Sequence, residues 1–553
     1  MAGPAELLLR GGRVWTGIGT TSDAVAVTAG DVVALGRDAV AVLGPRTEVV
    51  DLAGGTLLPG FRDGHVHPLA GGAKTLDCDL VDSDDVADVL ARVERHATSD
   101  PTAPWIIGWG YPPELLPGGV GRAELLDGVV PDRPVALWSS DHHMIWCNSR
   151  ALEVAGITAA TPDPPRGTIV RDEVGAPAGT LLEADELLAD HVPARDVDTA
   201  ARGLQVGLAR MVRAGLVAGL DAWTTPAQLP AYERVADAGL LTVDLDLAFK
   251  VEPDSWREDL AAFVDARAAT LAGRERRRVD GVPGGRLTAS VAKFFVDGVL
   301  EAGTGLLREP YEPGRGGGSC DHGADHGIAN WEAAALVEAA TALDAAGFQL
   351  HCHAIGDAAI GRALDAFAQV AARNGPRDRR PTVAHTHLVH PADVPRFAAL
   401  GVVANLQPLW AQPNRIVTEL TDPRIGPRRS RWQYPIGSLL RAGANVSFGS
   451  DWPVSSHEPL AGIAVAVTRQ TADGRPPDGW LPDERIGLDA ALTAYTAGTA
   501  HQMGDEARAG TIEVGRRADL VATAQDLAEV APRGLGDVEV TGTWLAGRRV
   551  HGG

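Results

Sequence analysis

Long apolar runs are missing from this 553-residue chain. No stretch of about 18 uninterrupted apolar residues occurs, which is what a membrane-spanning helix needs. The N-terminal segment MAGPAELLLRGGRVW has three leucines before Arg10, and it lacks the basic start and long apolar segment of a secretory signal. We therefore expect no membrane span and a cytoplasmic location.

Cysteine is scarce and scattered. The four cysteines are Cys78, Cys147, Cys320 and Cys352, and no two of them form a C-x-x-C pair. Disulfide frameworks and structural zinc modules need several closely spaced cysteines. Both are therefore disfavoured, and the thiols are expected to be reduced.

Basic residues are too few to balance the acidic ones. The formal net charge is −22, and the one basic run, RERRRVDG, is short. Nonspecific nucleic-acid binding needs clusters of lysine and arginine that neutralise phosphates. The composition therefore argues against a nucleic-acid partner. A small-molecule substrate is the expected ligand, and a homodimer is the commonest form of assembly for such a chain.

Lysine is rarer still. Lys74, Lys250 and Lys293 are the three lysines, so 47 of the 50 basic residues are arginine. Lys293 lies in SVAKFFVDGVL, a run that predicts a buried strand. Burial lowers the pKa of a lysine and yields a neutral, nucleophilic amine, whereas arginine stays protonated. The alternative is a lysine that reaches solvent or pairs with Asp297.

The order of predicted elements is that of a parallel α/β protein. Between residues 59 and 505, β-rich runs alternate with alanine-rich helical stretches. The eight strand candidates are LLPGFRDGHVH, GLVAGLDAW, LTVDLDLAF, LTASVAKFFVD, FQLHCHA, PTVAHTHL, GVVANLQP and NVSFGSDWP. They predict a (β/α)8 TIM-type barrel over residues 59–506, with its site at the carboxyl ends of the strands.

The two chain ends differ from the barrel in their pattern of predicted elements. Residues 1–58 and 507–553 contain short β segments separated by turn residues. Neither end makes a sheet with a buried face alone, so both are expected to pair into one small β-sandwich domain. Residues 70–210 are too long for one crossover and rich in proline and tryptophan. They predict an insertion after the first barrel strand, placed over the barrel mouth.

Histidines collect at the predicted ends of three barrel strands. The first strand ends in GFRDGHVHP, where His65 and His67 project to the same side. Two later strands carry LHCHAIGD and VAHTHLVH, and the eighth ends in FGSDWP with Asp451. Imidazoles and a carboxylate that converge from separate strands predict a divalent metal site. Strand parity leaves two pairs of ligands open: His351 or His353, and His385 or His387.

Together these phrases resemble the amidohydrolase superfamily. GFRDGHVH, the strand lysine, HAIGD, a histidine on the sixth strand and FGSDWP carry the resemblance, and VAKFFVDG and GTIEVGRRADLV add to it. The phrasing is similar in particular to the amidohydrolase family 3 branch, which includes N-substituted formamide deformylases. The resemblance covers nearly the whole chain. It implies a metal-bearing (β/α)8 barrel with a β-sandwich assembled from the chain ends.

The resemblance also implies roles for individual residues. The metal ligands it implies are His65, His67, Lys293, His353, His385 and Asp451. Within each open pair it chooses His353 and His385. In the resembling family such a lysine takes up carbon dioxide and becomes a carbamate that bridges two metal ions. One or two divalent ions, most simply zinc, are therefore expected here.

The chemistry so implied is hydrolysis of a C–N bond by a metal-activated water. Asp451 is the expected general base. His143, in SSDHHMIW, is expected to orient the substrate carbonyl or stabilise its oxyanion. Trp109 and Trp452 are expected to line an apolar substrate pocket. The predicted substrate is an amide, an N-substituted formamide, a carbamate or a cyclic amide.

Two other functions are consistent with this scaffold. A mononuclear deaminase of a ring amine commonly does without the strand lysine, so Lys293 argues against it. A noncatalytic binding protein on the same fold is expected to have lost metal ligands, and this sequence keeps them. The hydrolase is therefore the leading prediction.

Overall fold

A computed structural model describes residues 4–17, 19–81, 83–140, 144–164, 167–193, 195–313 and 326–552. The chain divides into two compact units, Met1–Pro68 with Leu208–Gly553, and Leu69–Gly207. Over the described residues, the first unit contains two eight-stranded sheets and the second contains one six-stranded sheet.

The strands, in chain order, are β1 Leu7–Trp15, β2 Thr21–Thr28, β3 Asp31–Leu35, β4 Glu48–Asp51, β5 Thr56–Pro59, β6 Phe61–Val66, β7 Cys78–Asp79, β8 Ile106–Tyr111, β9 Val135–Ser139, β10 Met144–Cys147, β11 Thr168–Arg171, β12 Pro177–Leu182, β13 Leu216–Thr224, β14 Asp244–Lys250, β15 Leu287–Phe295, β16 Gln349–Ala354, β17 Thr382–His385, β18 Val403–Leu406, β19 Asn445–Phe448, β20 Leu520–Thr523, β21 Val540–Leu545 and β22 Arg548–His551.

The α-helices are α1 Gly36–Ala41, α2 Pro68–Lys74, α3 Val86–Ser99, α4 Ala123–Asp127, α5 Ser149–Val154, α6 Glu186–Ala189, α7 Val197–Arg213, α8 Leu229–Asp237, α9 Trp256–Asp280, α10 Ala333–Ala345, α11 Asp357–Asn374, α12 Val394–Leu400, α13 Asp422–Arg429, α14 Ile436–Arg441, α15 Pro459–Thr468, α16 Leu488–Thr493 and α17 Thr499–Gln502. Short 3-10 or π turns lie at Pro113–Leu115, Pro117–Gly119, Pro226–Gln228, Pro408–Trp410, Ile416–Thr421, Ser430–Trp432, Pro482–Glu484, Ala494–Gly498 and Pro532–Asp537. Within the described ranges, none of these helices has both the length and the apolar character that a membrane crossing requires.

The barrel is one of the two sheets of the first unit. Its strands are parallel and follow the order β6, β13, β14, β15, β16, β17, β18, β19. Each overlaps one strand predicted from the sequence, and β13 and β14 end one residue beyond the predicted run. At the seam between the last strand and the first, the Asp451 N–H donates to the His65 carbonyl (2.7 Å) and the His67 N–H donates to the Trp452 carbonyl (2.8 Å). These bonds nearly close a TIM-type barrel.

Barrel strands are buried on both faces, as parallel strands covered by helices are. Every residue of β6, β17 and β18 is buried. Three of the six residues of β6 (FRDGHV) are nevertheless ionisable: Arg62, Asp63 and His65. A buried ionisable group must find a partner or change its protonation state, so this strand carries both structural and functional polar groups.

The second sheet of this unit joins the two chain ends. Its order is β22–β21–β20–β5–β1–β2–β3, with β4 paired to β1. The joint is β20, which runs antiparallel to β5. Apolar side chains from both ends share one core that includes Leu9, Val25, Leu57, Leu520 and Trp544. The pairing of the ends is therefore observed, whereas their arrangement as a β-sandwich stays a prediction.

The second unit, Leu69–Gly207, is built on a sheet of order β11–β12–β10–β9–β8–β7. Its β7, β8 and β9 are parallel, and the remaining pairs are antiparallel. The range of this unit overlaps the insertion predicted at residues 70–210. Its position over the barrel mouth stays a prediction.

Candidate metal centre

The first barrel strand brings two histidines to the carboxyl end of the barrel. His65 is the fifth residue of β6, and His67 follows the strand directly. His67 Nε2 lies 2.9 Å from Asp451 Oδ1, and His65 Nε2 lies 3.4 Å from the same oxygen. One ligand atom from each of the three side chains lies within 4.8 Å of the other two. Two imidazole nitrogens and a carboxylate oxygen in this compact arrangement fit a divalent transition metal.

Two residues of this cluster have a backbone conformation that is rare outside glycine. The φ angle is +56° at Asp451 and +73° at His385. Such a conformation costs on the order of 1–3 kcal/mol and persists only where the surrounding structure imposes it. At Asp451 the bond from its N–H to the His65 carbonyl helps to impose it. Strain concentrated at polar residues of a barrel mouth is typical of a functional site.

Strand β15 carries Lys293 into the same cluster. Its side chain is fully buried, and its Nζ lies 3.3 Å from His65 Nε2. The Nζ also lies 4.7 Å from the centroid of the Phe295 ring. Burial lowers the pKa of Lys293 to about 7, although Asp451 and Cys352 act in the opposite direction. A large fraction of this lysine is therefore a neutral amine near pH 7.

Asp297, the alternative partner of Lys293, has other partners. Its carboxylate accepts hydrogen bonds from three backbone N–H groups, those of Leu306, Ile355 and Gly356. The carboxylate thus fixes the loops that follow β15 and β16. The alternative in which Lys293 pairs with Asp297 is not what the structure shows.

The two histidines of β16 have different surroundings. His351 Nε2 lies within hydrogen-bond distance (2.9 Å) of His65 Nδ1. This is the ring nitrogen of His65 that is turned away from Asp451, so Nε2 of His65 is left for a metal. His353 Nε2 lies 3.0 Å from the Gly298 carbonyl, which leaves Nδ1 for a metal. The His353 and His385 rings lie 4.5 Å apart. This geometry favours His353 as a ligand and His351 as a residue that orients His65.

The two histidines after β17 also differ. His385 Nδ1 lies 2.9 Å from Gln407 Oε1, which leaves its Nε2 for a metal. Both ring nitrogens of His387 are within hydrogen-bond distance of other side chains, Gln433 Oε1 at 2.9 Å and the Tyr434 hydroxyl at 3.3 Å. The geometry therefore favours His385 over His387 as a ligand.

Sequence reasoning missed Asp221, near the end of β13. Its Oδ1 lies 3.7 Å from His67 Nδ1, and its Oδ2 accepts a hydrogen bond from the Tyr232 hydroxyl (2.6 Å). Burial lowers the pKa of His67, but the nearby carboxylates of Asp221 and Asp451 outweigh it and raise this pKa to about 9. Without metal, a proton is thus held between two carboxylates, and metal binding must displace it. The signal in the sequence was an aspartate at the end of the predicted strand GLVAGLDAW.

The remaining histidines of the cluster are neutral. Burial, and the charge of Lys293 or of a neighbouring imidazole, lowers the pKa of each of these side chains below its usual value: His65, His351, His353 and His385. Metal binding requires the neutral imidazole. These four imidazoles therefore need lose no proton before they bind a metal, in contrast to His67.

Three other residues were predicted to contact the substrate: Trp452, Trp109 and His143. Trp452 directly follows Asp451, is 6% exposed and lies 5.1 Å from the His457 ring. Trp109 belongs to the second unit, where its Nε1–H donates to Asp77 Oδ2 (2.7 Å) and its ring stacks on Trp138 at 4.6 Å. Its role as a substrate contact stays a prediction. His143 lies outside the described residues.

Two known proteins are similar in sequence to this chain along nearly its full length. Protein LONG AFTER FAR-RED 3 of Arabidopsis thaliana is 28% identical over 559 residues, which cover 99% of this chain and 92% of that protein. N-substituted formamide deformylase of Arthrobacter pascens is 29% identical over 542 residues, which cover 95% of this chain and 94% of that protein.

A solved structure shows the same fold. An uncharacterized metal-dependent hydrolase from Pyrococcus horikoshii OT3 has a TM-score of 0.74 and 22% identity, and the match covers 95% of this chain and 99% of that chain. The sequence model of the amidohydrolase family matches residues 48–551, a range that contains the whole barrel and every residue of the cluster. With its buried histidines and aspartate arranged to fit a metal ion, the chain belongs to the amidohydrolase family of metal-dependent hydrolases.

Proposed function

We propose that this protein hydrolyses a C–N bond in a small amide, N-substituted formamide, carbamate or cyclic amide. The observation that carries the proposal is the position of Lys293, buried with its Nζ 3.3 Å from His65 Nε2. A deaminase of the mononuclear kind has no need of a neutral lysine in this place. Similarity to an N-substituted formamide deformylase, 29% identical along 95% of this chain, supports the bond class.

The proposed ligands form two groups. One ion would be held by His65, His67 and Asp451, whose ligand atoms already lie within 4.8 Å of one another. A second would be held by His353 and His385, whose rings lie 4.5 Å apart. Lys293 would link the groups after its neutral amine attacks carbon dioxide, forms an N–C bond and releases one proton.

Zinc bound here would polarise the substrate carbonyl and lower the pKa of a water molecule. Asp451 would accept the proton of the attacking water and return it to the leaving nitrogen, a role that contributes about 10²–10⁴-fold. The carboxylate is 7% exposed and is fixed by His67 at 2.9 Å. The carboxylate is therefore already at the place of this transfer, and metal binding would displace the proton that it shares with His67.

Aromatic rings near the cluster would keep water away from the reacting bond. The Trp410 ring stacks on His385 with 5.6 Å between centroids and 5° between planes. Trp452 lies beside Asp451 and is buried. These rings support the proposal of a small substrate with an apolar part, and His143 remains the candidate that would stabilise the oxyanion.

The experiment has two measurements on the same preparation. Protein expressed with zinc or manganese is analysed for metal content, and is then assayed against formamides, other amides, carbamates and lactams. We expect bound metal and turnover of at least one of these classes. Lys293→Ala should lose the second metal and most of the activity, whereas the exposed Arg278→Ala is the control for loss of a basic side chain. Wild-type protein that holds no transition metal, or a Lys293→Ala variant with full metal content and activity, would contradict the proposal.

A further inference from the structure

A second lysine reaches the barrel mouth next to Lys293. Lys250 is the last residue of β14, and the strand register pairs it with Lys293 on β15. Side chains of paired residues on neighbouring strands project to the same face of a sheet. In a chain with three lysines among 50 basic residues, two therefore stand side by side on adjacent strands at this end of the barrel.

The surroundings of Lys250 are aromatic. Its Nζ lies 4.3 Å from the centroid of the Trp223 ring and 5.8 Å from that of Phe295. The two rings contact each other edge to face, with 5.0 Å between centroids. Phe295 also lies 5.1 Å from the His353 ring and 4.7 Å from Lys293 Nζ. Phe295 is therefore a wall shared by Lys250 and the proposed metal centre.

A cavity of about 370 Å³ lies against this wall, within the usual size range of small-molecule sites. Its lining includes Trp223, Lys250, Glu252, Phe295 and Trp331. Trp223 is 47% exposed, which is unusual for so large an apolar side chain. The cavity is therefore lined by three aromatic side chains, one cation and one carboxylate, that of Glu252.

The present partner of the Lys250 ammonium is easily replaced. It pairs with Glu252, whose side chain is 47% exposed. An exposed pair of this kind contributes at most about 1 kcal/mol. A carboxylate that arrives with additional apolar contacts can therefore displace Glu252, because the rest of its binding free energy comes from the rings.

We infer that Lys250 binds a carboxylate of the substrate, and that the enzyme acts on small amides that carry an acidic group. This inference rests on the proposed function, since it names the substrate class of the same site. Lys250 supplies the charge, and Trp223 and Phe295 contact the apolar part of the substrate. A lysine suits this position because its compact ammonium rests on the aromatic faces and keeps its donors for a ligand.

The geometry also limits substrate length. Lys250 Nζ and Lys293 Nζ are 5.8 Å and 4.7 Å from the same ring centroid, so they are at most 10.5 Å apart. An extended chain spans about 3.5 Å per residue. In a substrate whose carboxylate meets Lys250 while its amide reaches the metal centre, these two groups are therefore separated by no more than about three residues.

A matched pair of substrates tests the inference. N-formylphenylalanine and N-formylphenethylamine differ by one carboxylate, and both present the formamide that the proposed function requires. We expect Lys250→Met to lower kcat/KM for the first by about tenfold or more, the effect of losing a charge-assisted hydrogen bond. The second should change by less than about twofold. Lys250→Arg should retain most of the preference for the acid, and the exposed Arg278→Met, at the far end of α9, is the control.

Equal losses on both substrates would show that Lys250 only supports the fold, and unchanged kinetics on both would show that it contacts neither; each result overturns the inference. If wild-type protein hydrolyses neither compound, binding of 4-fluoro derivatives of both to metal-loaded protein is measured by fluorine NMR. Tighter binding of the acid to wild type than to Lys250→Met then supports the inference while the proposed reaction fails. Equal affinities overturn it.

Discussion

At the amino ends of the barrel strands, buried arginines and aspartates are paired with one another. At the carboxyl ends, His67 lies between two carboxylates, but buried Lys293 faces an imidazole. Arg62 donates to Asp505 (3.1 Å) and to Asp519 (3.0 Å) at the first end. Asp244 there accepts from Arg286 (2.8 Å) and Arg517 (2.6 Å). At the other end Lys293 has an imidazole, not a carboxylate, at 3.3 Å.

The titration of the two ends reflects this difference. Burial raises the pKa of Asp244, but Arg517 and Arg286 outweigh it and hold this pKa well below its usual value. Burial without such partners moves the pKa of Lys293 down to about 7 and that of Asp63 up to about 7. Groups whose charge is stabilised hold the fold together. Groups whose charge is destabilised are able to react or to bind a cation.

The largest effect is expected from a substitution in the cluster at the carboxyl ends of the barrel strands. Asp451→Asn should lower kcat/KM on the best substrate by about 10²–10⁴-fold, because the general base is lost. The free energy of unfolding of the metal-free protein should fall by less than it does on loss of an amino-end arginine, since Asp221 still faces His67 after the Asp451 carboxylate is removed. Steady-state kinetics and denaturant unfolding with chelator check both parts. Activity within about tenfold of wild type would contradict the assignment of Asp451.

The next largest effect is expected from a substitution in the ion pairs at the amino ends of the barrel strands. Arg62→Met should lower the free energy of unfolding by about 3 kcal/mol, the low end of the range for a broken buried pair, because Asp505 and Asp519 each lose one of two arginine partners. The folded fraction should still bind metal. Arg415→Met, which removes an arginine that is 88% exposed and paired with Glu419, is the control and should change stability by less than about 1 kcal/mol. A loss from Arg62→Met as small as that of the control would show that the two ends do not differ.

A third test compares the two ends by the stabilisation that a bound metal gives to variants of each. Metal binding should raise the free energy of unfolding by about 3–4 kcal/mol at 100 to 1,000 times its dissociation constant. His67→Ala should lose most of this increment, since it removes one of three clustered ligands, whereas Arg62→Met should keep it. Thermal unfolding with and without chelator measures the increment in each variant. An increment that survives in His67→Ala would place the metal elsewhere.

The smallest expected effect is a loss of stability at mildly acidic pH. Burial, with help from Arg210, lowers the pKa of His457, in the loop after β19, to about 4. An unfolded chain binds a proton here below about pH 6.5, so the stability from this residue is present at pH 7 and is lost as the pH falls from about 6.5 to 4, on the order of 2 kcal/mol. The pKa of Asp244 is also lowered, but its unfolded value is only about 3.9, so its contribution to stability persists until the pH falls to about 3.9.

Urea unfolding at pH 7 and pH 5 checks this order. His457→Gln should unfold with less dependence on pH across this interval than wild type. Asp244→Asn should keep the wild-type dependence there while losing stability at both values. Identical pH dependence in wild type and His457→Gln would contradict the assignment.

The barrel itself could be predicted because its strands are short apolar runs between helical stretches, and a buried parallel sheet requires that pattern. The metal cluster could be predicted because parallel strands bring their carboxyl ends together, so His65, Lys293 and Asp451 had to approach one another. Parity alone could not separate His351 from His353, since both project to one side. Side-chain partners separated them, and these depend on the three-dimensional arrangement.

The amino-end pairs could not be predicted. Arg62 and Asp519 are 457 positions apart, and with 47 arginines in the chain no local pattern selects this partner. Asp221 and Lys250 stood at the ends of predicted strands, but each reads as an ordinary charged residue until its neighbours are known. The aromatic wall of Phe295 and Trp223 likewise depends on the register of three adjacent strands.

The bond between Arg62 and Asp519 has a consequence for how the protein is made. A ribosome that adds about 5–20 residues per second needs roughly 20–90 s to travel from the first barrel strand to the carboxylate that this strand's arginine requires. During that interval the guanidinium cannot be buried without a partner. The first strand must therefore remain outside a finished barrel until almost the whole chain has been synthesised, so the unfinished barrel exposes apolar strand surface during that time.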